Sequence, residues 1–304
     1  MDNEAKSRRG PDTPEERRGF ILVAVLWILA ALAALAGSYA AYTRNAAFAT
    51  EVNDDQLRIR TAISSGVELT AYELLSAPVE ARPPQGAFKV RLAHSTIDVT
   101  FVSESARVDL NTAPKGLLTG LFAAVGASWS DASVFAERVV GWRSRVDNAG
   151  QNKEADDYKE GGHDYAPRQG PFQNVLELPL VLGIPSYVVD RVLPFVTVYS
   201  GSAQIDVRVA PPTVLSALPN VTPEQLQEVL TLRARDPLDG EGVLKLLGSA
   251  RAGGSAKAGP AARVQVQVRL DNGRTSRAEV VILMQGEGEP FHIVYWRDDS
   301  DGPI

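Results

Sequence analysis

Arg17-Arg18-Gly19-Phe20 opens onto Ile21-Leu22-Val23-Ala24-Val25-Leu26-Trp27-Ile28-Leu29-Ala30, and the apolar run continues through Leu32 to Ala36. Gly37, Ser38, Tyr39, Ala40, Ala41 and Tyr42 extend it, and the next charge is Arg44. Phe20–Tyr42 is 23 residues long; about 20 suffice for a helix to cross a bilayer. Arg17 and Arg18 precede it and Glu51, Asp54 and Asp55 follow it, which puts the N-terminus on the cytoplasmic side and the body across the membrane. Mean hydropathy over the whole chain is only −0.09. The chain therefore reads as a soluble body on one membrane helix.

Three readings of the run are open. A cleaved secretory signal has an apolar region of about 7–15 residues ending in a small-x-small site. This run is longer, although Ala36 and Ser38 mimic such a site. An uncleaved anchor is the second reading. The third rests on the order basic pair, Gly, Phe, unbroken apolar helix, which resembles the class III signal of type IV prepilins and type II secretion pseudopilins. That resemblance implies a cut between Gly19 and Phe20 by a membrane aspartyl prepilin peptidase, N-methylation of Phe20, and a disposable leader over residues 1–19. Those families carry Glu as the fifth residue after the cut; here it is Ala24. A carboxylate at a membrane-helix centre costs about 2.5–3.5 kcal/mol and needs a partner. In pilin-like assemblies that partner is proposed to be the N-terminal ammonium of the next subunit. A subunit without such a neighbour has no use for the Glu.

Beyond the apolar run, Phe48, Val52, Ile59, Ile63, Val67, Ala71 and Leu74 recur at spacings of three, four and seven. This predicts an amphipathic helix to about Leu75, stopped by Pro78, Pro83 and Pro84. As one helix, Phe20 to Leu75 would measure about 84 Å. Strands are expected at Phe88–Leu92 and Thr96–Val102 with His94-Ser95 turning between them, and at Phe195–Tyr199. Near the C-terminus Val264, Val266, Val268 and Leu270 alternate, Asp271-Asn272-Gly273 turns, and Ala278, Val280 and Ile282 return. Asn-Gly is a strong hairpin signal. Phe291–Trp296 predicts a last strand.

Between the early and late strands lies an internal repeat. Ala106-Arg-Val-Asp-Leu-Asn-Thr-Ala-Pro114 parallels Ala203-Gln-Ile-Asp-Val-Arg-Val-Ala-Pro211. Leu118 and Leu121 match Leu215 and Leu218 at the same offset. Each copy ends a second helix in Arg-x-Arg, at Arg143-Ser144-Arg145 and Arg233-Ala234-Arg235, and the second copy is seven residues shorter between those landmarks. Pro114 and Pro212 suit a first helical turn. Thr222-Pro223-Glu224-Gln225 reads as a capping box. Asp147–Arg168 reads as a polar, acidic loop, Leu176–Leu182 as a short helix, and Tyr187–Leu193 as another.

The expected fold is α+β: a long N-terminal helix on a small antiparallel sheet, with a large α-helical domain inserted between strands. The divisions are a leader (1–19), a transmembrane half-helix (20–43), the remaining helix and first strands (44–104), the helical insert (105–250, copies about 106–145 and 203–235), a flexible Gly/Ala-rich loop (251–262) and the last strands (263–304).

Composition narrows the function. Lys+Arg is 31 against Asp+Glu 37, a net charge of −6, which disfavours nucleic acid as a partner. There is no cysteine, hence no disulfide scaffold, thiolate zinc site or cysteine nucleophile. His94, His163 and His292 are scattered, and no hydrolase or phosphate-loop motif occurs. The chain is not expected to be an enzyme.

Val108-Asp-Leu-Asn-Thr-Ala-Pro114, Phe172-Gln-Asn-Val-Leu-Glu-Leu178, Phe195-Val-Thr-Val-Tyr199 and Ile205-Asp-Val207 with Ala210-Pro-Pro212 are similar, in order and spacing, to landmarks of the type II secretion system minor pseudopilin K family, GspK. The absent Glu at Ala24 and the two-copy insert point the same way. The resemblance implies a pilin-like domain with an α-helical insertion, and a place at the tip of the periplasmic pseudopilus with minor pseudopilins I and J. It also implies a part in starting pseudopilus assembly for export across the outer membrane. Trp142 is followed here by Arg143, Ser144 and Arg145 where the family has Asp-x-Asp, and Arg208-Val209 stands where it often has Asn-Thr.

The family's insert is associated with calcium. Calcium takes oxygen ligands in a flexible loop, and Asp147, Glu154, Asp156 and Asp157 are the candidates, with Asp156 and Asp157 before Tyr158 matching best. A solvated acidic loop is the simpler reading of the same residues. On the membrane helix Ala24, Trp27, Leu29 and Leu32 are candidates for packing against the I and J helices, or simply meet lipid. The repeats also resemble helix-hairpin-helix modules, whose Gly-rich hairpins (here Val125–Ser128 and Pro219–Thr222) hold DNA backbone in other proteins. A membrane-anchored DNA-uptake protein is the alternative function.

Overall fold

The computed structural model describes residues 14–145, 153–284 and 288–299. The chain divides into two compact units, Met1–Arg58 and Ile59–Ile304.

In the first unit the described residues belong to one helix, α1 (Pro14–Ser76), which continues into the second. Proline at its first position loses no hydrogen bond, and no further proline occurs until Pro78. The helix thus begins six residues before Phe20, inside the expected leader. Leu22–Arg44 has a mean hydropathy of 2.2 and is long and apolar enough to cross a membrane.

In the second unit α1 lays Ala62, Ile63, Val67, Ala71 and Leu74 on a five-stranded antiparallel sheet. The strands are β1 (Gln85–Leu92), β2 (Ser95–Ser103), β7 (Ala261–Leu270), β8 (Thr275–Leu283) and β9 (His292–Asp298), paired in that order. The period-2 pattern puts Ile97, Val99 and Phe101 of β2 and Val264, Val266 and Val268 of β7 under the helix. Gly66 is the point of closest approach. A Cβ there would stand 3.2 Å from Val266 and Val99 methyls. The first hairpin starts earlier than expected, at Gln85, and its turn is Ala93-His94, with Ala93 at φ 43°. The Asn272-Gly273 turn forms as expected, with Gly273 at φ 87°.

Residues 104–260 leave the sheet after β2 and return at β7. They contain β3 (Val108–Asp109), α2 (Lys115–Ala124), α3 (Trp129–Arg143), α4 (Lys153–Glu160), α5 (Ser186–Val192), β4 (Val196–Thr197), β5 (Ile205–Asp206), α6 (Pro212–Ser216), α7 (Pro223–Arg235), α8 (Gly240–Leu247) and β6 (Gly254–Ser255). One core joins them, from Leu118, Phe122, Val139 and Trp142 to Leu215, Val229 and Leu247.

Several expectations need correction. The segment read as an acidic loop contains α4, because Tyr158 anchors it: the ring is fully buried and its hydroxyl accepts a hydrogen bond from Leu182 N at 2.8 Å. Leu176–Leu182 becomes a 3-10 helix, Val175–Leu180, with Pro179 inside it. The strand at Phe195–Tyr199 shortens to β4. Within the Gly/Ala-rich 251–262, residues 254 and 255 form β6 against β5 and residue 261 opens β7, so backbone pairing orders a stretch that composition marks as loose.

Gly120 lets α2 meet α6; a Cβ there would lie 2.1 Å from the Ala217 carbonyl oxygen. Gly120→Ala must push the two helices apart. It should destabilise the full chain by about 1–3 kcal/mol in a denaturant titration, and an unchanged midpoint would contradict the contact.

Candidate functional site

Two matched turns organise the helical segment. In the first, β3 pairs in parallel with β4, and Leu110 N donates to Thr197 O at 2.8 Å. In the second, β5 pairs in parallel with β6, and Val207 N donates to Ser255 O at 2.9 Å. Ala113 N donates to Asp109 O and Ala210 N to Asp206 O, both at 2.9 Å. A helix follows each turn, then a hairpin, then a second helix capped by a hydroxyl: Ser128 accepts from Asp131 N, and Thr222 accepts from Gln225 N in a complete capping box.

The first Arg of each closing Arg-x-Arg folds back on its own turn. Arg143 donates to Leu110 O and, at 2.7 Å, to Ala113 O. Arg233 donates to Ala210 O at 2.7 Å. Burial pushes both guanidinium pKa values down, and Asp109 and Asp206 respectively push back. These two residues carry the repeat, and the Arg-x-Arg that closes each copy was their signal in the sequence.

The turns differ where the sequence departs from the family pattern. Asp109 accepts from Asn111 N, Ser200 Oγ and Gly201 N, and the Asn111 amide brackets Phe172 by donating to its carbonyl at 2.9 Å and accepting from its N–H at 2.7 Å. Asp206 is instead satisfied by the next-but-one residue. The Arg208 backbone N, Nε and Nη2 all donate to it, at 3.1, 2.9 and 2.7 Å. Arg208 thus supplies locally what the first copy draws from a distant loop.

A third cluster ties the helical segment to the sheet. Glu104 is 1% exposed and Arg263 8%. Arg263 Nε donates to Glu104 Oε1 at 2.6 Å, its Nη2 to Glu104 Oε2 at 3.2 Å, and its Nη1 to Glu279. Thr197 of β4 donates to the same Glu104 carboxylate. Burial alone would push the Arg263 pKa down, but Glu104 and Glu279 reverse this and raise it. The raised guanidinium contributes fully at neutral pH, and that contribution falls away as pH rises through the raised value.

The membrane-helix candidates fall on two faces. At about 100° per residue, Ala24 and Trp27 share one side of α1 and Leu29 and Leu32 the other. Trp27 is 73% exposed. Gly19 and Phe20 lie in the α1 backbone.

Of the four acidic candidates, Asp156 and Asp157 have described side chains. Asp147 lies outside the described residues, and of Glu154 only the helical backbone is described. Asp156 and Asp157 are successive on α4 and diverge by about 100°. Asp157 is ion-paired with Arg138 at 2.7 Å. Among the described residues no three acidic or histidine side chains form a group that could hold a metal. Asp156 and Asp157 do not fit a calcium site by themselves.

Most of the hairpin N–H groups bond within the chain. Gly126 N donates to Ala123 O and Ala127 N to Phe122 O, and Arg191 reaches Val125 O. In the second hairpin Val221 N donates to Leu218 O and Thr222 N to Gln225 Oε1. Those N–H groups do not project toward a phosphate.

The comparisons with known proteins bear on the region from β2 to the first turn's closure. Residues 95–201 match the family model of the type II secretion system (T2SS), protein K. The resemblance to the K family holds over that region. Comparison with curated proteins finds no match. Among solved structures, a chain of the GspK-GspI-GspJ complex from the enterotoxigenic Escherichia coli type 2 secretion system is similar. It has a TM-score of 0.57 and 14% identity, covering 81% of this chain and 98% of that one. At this identity the likeness shows a shared fold: mixed helix and antiparallel sheet behind an N-terminal helix. Protein K is a component of a secretion system.

Removing the Glu104 charge breaks the buried pair and leaves Arg263 to its flanking partner Glu279. Glu104→Gln should cost about 3–5 kcal/mol in the full chain, measured by denaturant unfolding, with part recovered in Glu104→Gln/Arg263→Met. A loss below about 1 kcal/mol, the range of exposed pairs, would show that the cluster is not buried in solution.

Proposed function

We propose that this chain is a K-type minor pseudopilin of a type II secretion system. In this reading it sits at the tip of the periplasmic pseudopilus, beside minor pseudopilins I and J, and helps to start assembly for export across the outer membrane. The observation that carries the proposal is the protein K match over residues 95–201. The fold shared with a chain of the GspK-GspI-GspJ complex supports it, as does an apolar Leu22–Arg44 at the head of α1.

In this reading Leu22–Arg44 is a single inner-membrane pass with a cytoplasmic N-terminus and a periplasmic body. Prepilin peptidase cuts between Gly19 and Phe20, and Phe20 becomes N-methylated. Ala24 replaces the carboxylate that a subunit inside the filament directs at its neighbour. Trp27, Leu29 and Leu32 pack on the I and J helices. Residues 105–250 are the two-copy helical insert, built on the matched Asp109 and Asp206 turns. The DNA-uptake alternative has no supporting observation.

Intact mass of the membrane-extracted protein tests the processing. The expected species starts at methylated Phe20; an intact leader, or a cut near Ser38, would contradict it. Calcium is a separate proposal, with Asp156, Asp157, Asp147 and Glu154 as its candidate ligands. If it holds, calcium protects residues 147–168 from protease and EDTA removes the protection. Cleavage indifferent to EDTA refutes it.

A further inference from the structure

The outer edge of β1 is unpaired. β1 is terminal in the sheet, so among the described residues no strand lies beyond it. Ser103 N donates to Pro84 O at 2.7 Å, which sets the phase of the β1–β2 ladder. Gly86, Phe88, Val90 and Leu92 then turn their N–H and C=O groups toward β2. The same alternation turns the backbone groups of Gln85, Ala87, Lys89 and Arg91 outward. Such an edge is a template for another strand.

Edge strands are commonly blunted by charge, proline or a bulge. The opposite edge has a bulge: β9 pairs Tyr295 with Val281 and Ile293 with Ile282, leaving Val294 out of register. β1 has none, and its eight residues pair in one unbroken register. Its two cations are drawn inward over the sheet, Lys89 to Asp98 and Arg91 to Asp271, both at 2.8 Å. Pro83 and Pro84 precede the strand and guard only its start. On the α1 side the apolar row of β1 is incompletely covered: Phe88 and Val90 are half-buried and Leu92 is 37% exposed.

We propose that β1 pairs antiparallel with β1 of a second copy, about a two-fold axis at Phe88. Self-complementarity selects this occupant. The register places Ala87 of one copy opposite Lys89 of the other, and Gln85 opposite Arg91. The outward backbone groups then meet each other, and no like charges stand face to face. On the α1 side Phe88 packs on Phe88 of the other copy, and Val90 stands opposite Gly86. Sliding the strands by two residues in one direction sets Lys89 against Lys89. Sliding them in the other direction sets Arg91 against Pro83, which has no N–H to give. The inference concerns the sheet edge alone. It stands or falls without the processing of the membrane helix and without minor pseudopilins I and J.

The chain has no cysteine, so a single introduced thiol reports the register. Phe88→Cys puts two thiols at the axis, where facing Cα atoms of a non-hydrogen-bonded pair are about 4.5 Å apart, within disulfide range. Leu92→Cys puts them about 27 Å apart along the strands. Oxidation of the full chain in detergent micelles with copper–phenanthroline, read by non-reducing electrophoresis, should link Phe88→Cys into dimers and leave Leu92→Cys unlinked. Light scattering of the unsubstituted chain should show a dimer. Ala87→Pro should weaken it about tenfold, because it removes an outward N–H and none of the β1–β2 bonds. Unchanged thermal unfolding of that variant separates lost pairing from lost fold, and if it unfolds the two cysteine variants decide alone. A monomer at every concentration, or equal linking of the two cysteine variants, overturns the proposal. A dimer indifferent to a folded Ala87→Pro overturns it in favour of association through the membrane helix or another face.

Discussion

Strands β2 and β7 are neighbours although residues 104–260 lie between them. Everything in that interval has to leave the sheet and come back to the same edge. The Glu104–Arg263 pair marks both ends of the excursion, its members 159 positions apart in sequence and joined in the buried interior. Thr197 donates to the same carboxylate from the middle of the interval. Sheet pairing alone sets β2 against β7. The shared carboxylate also holds the helical segment to the sheet, because buried charges tolerate only the geometry that pairs them.

The two matched turns show how one local design accepts different sequences. Both use an Asp beside a two-residue parallel pairing, and both are capped by an Arg from the helix that closes the copy. The first turn also gathers Phe172 and Gly201 from other loops, so Asn111 is required for its amide. The second has no such loop to hold, and Arg208 can stand where the family often has Asn. Its guanidinium fills the second Asp with a fork of donors.

Much of this was legible in the sequence. The stripe Ile63, Val67, Ala71 and Leu74, the Thr222 capping box, the Asn272-Gly273 turn and the alternation of β7 each rest on neighbours within a few residues, where periodicity and turn chemistry act directly. The repeat exposed the Asp and Arg pairs through their common offset. What stayed hidden depends on distant partners. No local pattern announces strands of two residues paired in parallel, such as β5 with β6. The Gly/Ala-rich stretch around Gly254 reads as loose because its hydrogen bonds go to Ile205 and Asp206. The acidic run at Asp156-Asp157 reads as a loop because Tyr158 finds its burial only in the tertiary core, and Asp157 finds Arg138 on another helix.

The functional account follows from the same division. An apolar stretch long enough to cross a membrane heads α1, the end of that helix packs on the sheet, and the insert adds a helical segment to this helix-on-sheet fold. The protein K match spans β2 and the first turn unit, which is where sheet and insert are joined. The claim at the centre is that this joined body assembles with minor pseudopilins I and J. The direct measurement is light scattering of the full chain in detergent, alone and after co-expression with the I and J subunits of its own secretion system. The account predicts one defined heterocomplex containing all three chains. A chain that stays alone, or that associates only with itself, would contradict it.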